Sequence, residues 1–358
     1  MKKVLIAMSG GVDSSVAAYL LKMQGYDCIG VTMKLYENKA AVQKCSNTCC
    51  SIEDIEDAKS VAYQLDIPHH VFNFTADFKT HVIQKFADAY EKGLTPNPCI
   101  DCNRYLKFDH LLHRALQLGC DYIATGHYAQ IISDSLEQRF LLKKAVDQNK
   151  DQSYVLYSMT QNQLSHTLLP LGTLCKDEVR SIAEKQGFFN AHKRDSQDIC
   201  FVPDGDYAQF LRGYTKKNYP KGNFISTDGQ VLGTHRGIIH YTIGQRKGLG
   251  ISALHPLYVQ KKSLSDNTIT LCEETDLYTA SFQAEDFNLI SDLDLNLPFR
   301  ANVRIRYHQQ EQPATITPLN ERTLHIQFDT PQRAITSGQA AVLYQGDLLI
   351  GGGTILTY

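Results

Sequence analysis

The chain has 358 residues, 43% hydrophobic and 21% charged, with 36 basic and 38 acidic side chains and a formal net charge of −2. This composition excludes a disordered chain, and the charge balance excludes binding of nucleic acid by bulk positive charge, so any such contact must come from a local basic patch. No apolar run approaches the roughly 18 residues of a membrane span, and 10 cysteines without a secretory signal point to reduced thiols in the cytoplasm rather than a disulfide framework.

The first predicted element is a short apolar strand, KKVLIAM, running into Ser9–Gly10–Gly11. A helix follows from Val12, with Val12, Val16, Leu20 and Met23 on its buried face and Gly25 closing it. CIGVTM (28–33) predicts a second strand. Ser51 opens a helix with Glu53 and Asp54 in its first turn and Ile52, Ile55, Ala62 and Leu65 as its buried face. HVFNF (70–74) predicts a strand, residues 76–91 and 103–118 helices, and DYIAT (121–125) another strand. Strands alternating with helices imply an α/β fold with a doubly wound, mostly parallel sheet, which binds ligands at the carboxyl ends of its strands.

The pattern changes after about residue 205, where glycine, threonine and β-branched residues rise. TDGQ (227–230) predicts a hairpin turn. From 299 the residues alternate, with Phe299, Ala301, Val303, Ile305 and Tyr307 on one face and Arg300, Asn302, Arg304, Arg306 and His308 on the other. TLHIQF, AAVLYQ and DLLIGGGTIL continue as strands, with a turn at Gln345–Gly346–Asp347. The expected division is an α/β domain over 1–205, a small central β-rich domain over 206–276 and a C-terminal β-barrel over 277–358.

Ser9–Gly10–Gly11–Val12–Asp13–Ser14–Ser15 lies between the first strand and the first helix. Paired glycines let the backbone approach phosphate oxygens, and the helix N-terminus supplies unpaired N–H groups. The lysine of a GxxxxGK[ST] loop is missing, so this is a different phosphate loop. Asp13 beside phosphate suggests an intervening Mg²⁺.

Two cysteines stand in chemical settings. Cys102 follows the proline-stiffened TPNPCID at the expected start of a helix, where the dipole favours thiolate. Cys200 lies in DSQDICFV near the domain boundary. The alternative for each is a small buried hydrophobe. Cys99 and Cys102 make half a zinc site without a second half, and Cys45, Cys49 and Cys50 match no metal spacing and are read as structural or surface residues. No metal ligand set is assigned.

SGGVDSS resembles the signature of the PP-loop ATP pyrophosphatases, which adenylate their substrates. Together with the Cys102–Asn103 loop, ATGHYA (124–129), KDQSYVLY (150–157), DSQDICFV (195–202), IGQRKGLG (243–250) and SGQAAVLY (337–344), it resembles the tRNA-specific 2-thiouridylases over essentially the whole chain. The resemblance implies a PP-loop domain, a central domain and a barrel, and ATP-dependent 2-thiolation of the wobble uridine of tRNA. It implies ATP contacts from Ala7, Met8, Ser9, Gly10, Gly11, Val12, Asp13, Ser14, Met33 and Gly126. It makes Cys102 the nucleophile and Cys200 the persulfide carrier, leaving released sulfide or a Cys102–Cys200 disulfide. Asn97, Pro98 and Cys99 then lie against the target base, and His127, Lys150, Asp151, Gln152, Arg306, Tyr307 and Gln339 contact tRNA. The implied partners are the tRNAs for Lys, Glu and Gln and a cysteine desulfurase or sulfur carrier.

The residues alone read some of these positions differently. They leave His127 open between structural and functional roles, and they read Lys150–Asp151–Gln152 as an exposed turn. Gly244–Gly248 and the arginines of the 299–308 segment are either solvated or phosphate-binding. Some thiouridylases carry Asp where this chain has Cys99. Three readings follow: Cys99 lines the base pocket, serves as a resolving thiol, or joins Cys102 and Cys200 in holding an iron–sulfur cluster. The first is the reading favoured. The rivals to thiolation are an amidating PP-loop ligase and a non-catalytic RNA-binding module.

Overall fold

The computed structural model describes residues 1–36, 52–134, 138–193, 199–202, 205–291 and 297–356. Strands β1 (Lys3–Ala7), β2 (Asp27–Lys34), β3 (His69–Asn73) and β4 (Tyr122–Ala124) are followed by a hairpin, β5 (Ala129–Asp134) and β6 (Arg139–Lys144), and by the two-residue β7 (Thr167–Leu168). The first sheet has the order β3–β2–β1–β4–β7, parallel throughout. β1 is a continuous apolar run because both its faces are covered. Val4, Ile6 and Met8 pack with helices α1 (Val12–Met23) and α2 (Ile52–Gln64). Leu5 packs with a helix spanning 75–91 and another spanning 98–117. Each of these two helices contains a π-helical stretch, Lys79–Gln84 and Cys102–His110.

Three expected helix details change. Met23, at 67% exposure, leaves the buried face of α1, which is Val12, Ser14, Ser15, Val16, Ala17, Ala18 and Leu21. Ile52 is likewise exposed, and α2 buries Asp54, Ala58, Val61 and Ala62 instead. Small residues face the neighbouring helix so that the backbones can come close. The helix expected from 103 begins at Pro98, capped by the Asn97 side chain, which accepts a hydrogen bond from the Cys99 N–H at 3.1 Å. Proline at the first position and asparagine before it form an ordinary helix start. Cys102 therefore lies one turn inside the helix, and Cys99 occupies the dipole-favoured first turn. The cluster Cys45, Cys49 and Cys50, and Ser51, lie outside the described residues.

The central sheet comprises β8 (Gly222–Ile225), β9 (Val231–His235), β10 (Tyr258–Ser263) and β11 (Thr268–Cys272), with Gly229 turning the β8–β9 hairpin as expected. Strands β12 (Tyr278–Leu289), β13 (Phe299–Arg304), β14 (Gln312–Asn320), β15 (Thr323–Arg333), β16 (Ala340–Gln345) and β17 (Leu348–Ile355) form the order β12–β15–β14–β13–β16–β17. A β12–β17 pairing closes them into a six-stranded barrel. Ala301, Val303 and Ile305 face its core, as the alternation predicts.

One feature cuts across the expected division. The β5–β6 hairpin belongs to the first 205 residues, but it adds to the barrel sheet through Leu348 opposite Lys143 and Leu349 opposite Leu142. Leu142, Val342, Tyr344 and Leu349 accordingly share one core with Leu5, Leu106 and Leu111 of the α/β unit.

Candidate active site

β1 has β2 on one side and β4 on the other, so the carboxyl ends of β1 and β4 flank a topological switch point, where such sheets bind ligands. Ala7 ends β1 there, and Gly11 is the N-cap of α1. Gly10 has φ +74°, and a Cβ on it would lie 2.3 Å from the Asp54 carbonyl oxygen. A Cβ on Gly11 would meet only the Ser9 Oγ, at 3.5 Å. The Ser14 hydroxyl accepts from the Ser9 N–H at 3.1 Å and donates to the Gly11 carbonyl at 3.0 Å. Ser15 donates to the same carbonyl at 3.1 Å, and Asn190 donates to Gly10 O and Ser15 Oγ, each at 3.0 Å. The loop is thus held in shape by hydrogen bonds from its own chain.

The Asp13 carboxylate accepts from Lys176 Nζ at 2.7 and 2.8 Å and from the Tyr128 hydroxyl at 2.7 Å. A lysine and a phenol thus share the Asp13 carboxylate, which sets a buried cation beside the loop. The sequence signal for Lys176 is a lysine at the first position of a helix, where the dipole disfavours a cation, and the structure buries it there. Lys193, not expected from the sequence, pairs with Asp54 at 2.7 Å and Asp57 at 2.6 Å and reaches Gly10 O at 3.4 Å, tying α2 to the loop. Gly126 packs against the loop, with an added Cβ 2.9 Å from the Asp13 carbonyl carbon and the Ser14 nitrogen. Met33 lies near the carboxyl end of β2, on the cluster that Ala7 also borders.

Helix 98–117 leads into β4 and therefore runs against the strand direction, which puts its N-terminal end on the same carboxyl side as the phosphate loop. Lys107 Nζ is 3.4 Å from His127 Nε2, and the Phe108 and His127 rings are 5.8 Å apart, which fixes that passage just beyond β4. Cys102 and Cys200 are both partly exposed and pack against the same hydrophobic cluster. Phe201 anchors the second of them, with its ring 5.7 Å from Phe78 and 5.2 Å from Phe86. Among the described residues, Cys99, Cys102 and Cys200 are not gathered into a metal-ligand group.

The loop ahead of the helix docks on the barrel end. Gln339 Nε2 donates to Thr95 O at 2.6 Å, and the Thr95 N–H donates to Ser337 O at 3.0 Å. Tyr307 packs edge-on to Tyr154 at 5.9 Å, and burial pushes its phenol up to about 12, with the Asp151 and Cys99 charges adding to the shift. Asn97, Pro98, Cys99, Tyr307 and Gln339 are thereby brought together.

The other expected tRNA contacts lie on the turn after β6, at the end of β4 and beside the barrel. His127 is buried, bonded to Thr125 Oγ1 at 2.6 Å, and held well below the usual imidazole range by burial and then by Lys107. Asp151 is no exposed turn residue: it is 5% exposed, accepts from Ala145 N, Ser153 N and Ser153 Oγ, and pairs with Arg304 at 3.3 Å. Gln152 bonds the Tyr128 backbone through its side chain at 2.9 Å and its N–H at 2.8 Å, while Lys150 is partly exposed on the same turn. Arg304 is not solvated but joins Glu311 at 2.9 Å, and Glu311 also binds Lys144 at 2.8 Å. Arg300 pairs with Asp329. Arg306 donates to Ala334 O at 2.9 Å and Thr336 Oγ1 at 2.8 Å, and among the described residues no carboxylate pairs with it. Arg246 and Lys247 are exposed on the loop beside it.

Three family models match in succession: the tRNA methyl transferase HUP domain over residues 2–204, the tRNA methyl transferase PRC-barrel domain over 208–273 and the aminomethyltransferase beta-barrel domain over 279–355. The chain is 52% identical over 354 residues to the tRNA-specific 2-thiouridylase MnmA of Clostridioides difficile, covering 99% of this chain and 98% of that one. It is 50% identical over 355 residues to the protein of the same name from Acetivibrio thermocellus, covering 99% of each. A solved 4-thiouridine synthetase–RNA complex with bound ATP is similar at 19% identity and a TM-score of 0.37, over 60% of this chain and 50% of that one.

Proposed function

The chain belongs to the tRNA-specific 2-thiouridylase family, and from that membership we propose that it thiolates the wobble uridine of tRNA at position 2, using ATP. The observation that carries the chemistry is the shared edge of the sheet, where the Ser9–Ser14 loop and the Cys99–Cys102 helix start lie on the same carboxyl side. ATP binds with its phosphates on the loop N–H groups, and Ala7 through Ser14, Met33 and Gly126 shape that site. Uridine O2 attacks the α-phosphorus, pyrophosphate leaves, and the oxygen becomes part of a good leaving group. The loop needs no rearrangement to meet the developing charge, since its own hydrogen bonds already set its shape.

Sulfur arrives as a persulfide on Cys200, loaded by a cysteine desulfurase or a sulfur carrier. Its terminal sulfur attacks C2, and AMP departs with the former O2. The Cys102 thiolate then attacks Cys200 Sγ. The S–S bond breaks, its electron pair stays with the transferred sulfur, and a Cys102–Cys200 disulfide remains for an external thiol to reduce. Asn97, Pro98 and Cys99 line the target base, with Cys99 a packing residue. Tyr307, Gln339, Arg306 and Lys150 border the tRNA, here taken as those for Lys, Glu and Gln in the cytoplasm. His127, Asp151 and Gln152 hold the walls behind them. The Asp13 carboxylate, already bound by Lys176 and Tyr128, does not fit a Mg²⁺ ligand; it fixes the lysine beside the phosphates.

Pyrophosphate release measured with and without unmodified tRNA tests the reading, together with mass spectrometry of the digested tRNA. The wild-type protein should release pyrophosphate only with tRNA and form thiouridine. Cys102→Ser and Cys200→Ser should keep the release and lose the thiouridine. Equal release without tRNA would return the chain to the amidating ligases.

A further inference from the structure

Helices 75–91 and 98–117 bring together three side chains that the thiolation chemistry does not use. Asp77 and His81 stand four residues apart on the first helix, and His110 lies on the second. One ligand atom from each lies within 4.8 Å of the others. His110 Nδ1 is 3.5 Å from Asp77 Oδ1, close to the donor separation of roughly 3.4 Å in a tetrahedron with metal bonds of about 2.0–2.1 Å. The second nitrogen of His110 lies 3.9 Å from Asp109 Oδ2, outside hydrogen-bond reach. His81 is stacked on Tyr105 at 5.1 Å and stands edge-on to His110 at 5.4 Å, so both rings are held before any ion arrives. All three residues are partly exposed, which leaves a fourth position open to water. Both histidines also lie in the π-helical stretches, a rare geometry that tends to accompany functional sites.

We propose that Asp77, His81 and His110 bind a divalent transition metal of the zinc class. Two imidazoles and one carboxylate suit zinc, cobalt or nickel, whereas magnesium and calcium require mainly oxygen donors. The ion pins helix 75–91 to helix 98–117, the helix that Asn97 caps and that carries Cys102. It is a strut outside the reacting groups.

Cobalt(II) is the probe, added to the chelator-treated full-length protein. Nitrogen and oxygen ligation gives tetrahedral ligand-field bands without a sulfur-to-cobalt charge-transfer band, which separates this site from the cysteines. One equivalent should bind in this way. His110→Ala should weaken binding by more than about 100-fold, while His113→Ala on the same helix should leave it unchanged. Circular dichroism checks each fold, and the partly exposed His81→Gln gives a second reading if His110→Ala unfolds. Zinc should raise the melting temperature of the wild type and not of His81→Gln. A thiolate charge-transfer band, or full cobalt affinity in His81→Gln and His110→Ala, would overturn the site and leave Asp77–His110 a plain ion pair.

Discussion

Gly10 and Gly11 are adjacent but do different work. Gly10 is required by the fold, because its φ is +74° and an added Cβ collides with the Asp54 carbonyl. Gly10→Ala should cost about 1–3 kcal/mol in urea unfolding, the range for strained backbone positions. Gly11 has room for a methyl group against the protein itself, so Gly11→Ala should keep its stability within about 0.5 kcal/mol and still lose tRNA-dependent pyrophosphate release. Equal loss of stability in both would remove the phosphate from the account of Gly11. His127 carries the pH signature. Burial holds its ring neutral, with a folded pKa well below 6.5. The unfolded chain therefore takes up the proton first as pH falls, and the stability is present above about 6.5 and lost below it, with a slope of up to about 1.4 kcal/mol per pH unit. Unfolding measured between neutral and acid pH should show a flatter acid limb in His127→Gln. An unchanged limb would assign the loss to other histidines lowered by burial, His69, His235 and His240.

At the scale of elements, an ion network holds β6, β13 and the turn at Asp151. Lys144, Glu311, Arg304 and Asp151 form a chain of pairs with side-chain exposures of 10%, 12%, 13% and 1%. Removing one partner strands a desolvated charge, which costs more than the pair contributes when intact. Arg304→Ala should therefore destabilise the protein by about 3–5 kcal/mol and leave the salt dependence of tRNA binding unchanged. A salt slope lowered by about one unit would instead mark a phosphate contact. The alternation along 299–308 identified which arginines leave the barrel core. It carried no information on the carboxylates awaiting Arg304 and Arg300 there, because Asp151 and Asp329 come from other strands and turns. Helix 98–117 shows a nearer miss: Pro98 and Asn97 were plain in the sequence, and reading them as a cap would have placed Cys102 one turn in.

At the scale of the molecule, the α/β unit and the barrel are joined through a shared sheet. The β5–β6 hairpin pairs with β17, and Leu142, fully buried, lies against Leu349. A fragment ending at 205 should expose that hairpin and the apolar face beneath it, and should elute aggregated in size-exclusion chromatography. A monodisperse fragment with native circular dichroism would show that the hairpin folds without its barrel partner.

The sequence by itself determined the parallel sheet, the phosphate loop and the barrel alternation, because each rests on local periodicity or on glycine stereochemistry within a few residues. It also determined the family, through motifs spread over the whole chain. Only the tertiary structure decided that Asp13 faces Lys176, 163 residues away, that His127 and Asp151 are buried, that Gln339 holds the loop before Cys99, and that Asp77, His81 and His110 meet. These are encounters between distant segments, and their partners are chosen by the packing of helices and strands, which no pattern along the chain encodes.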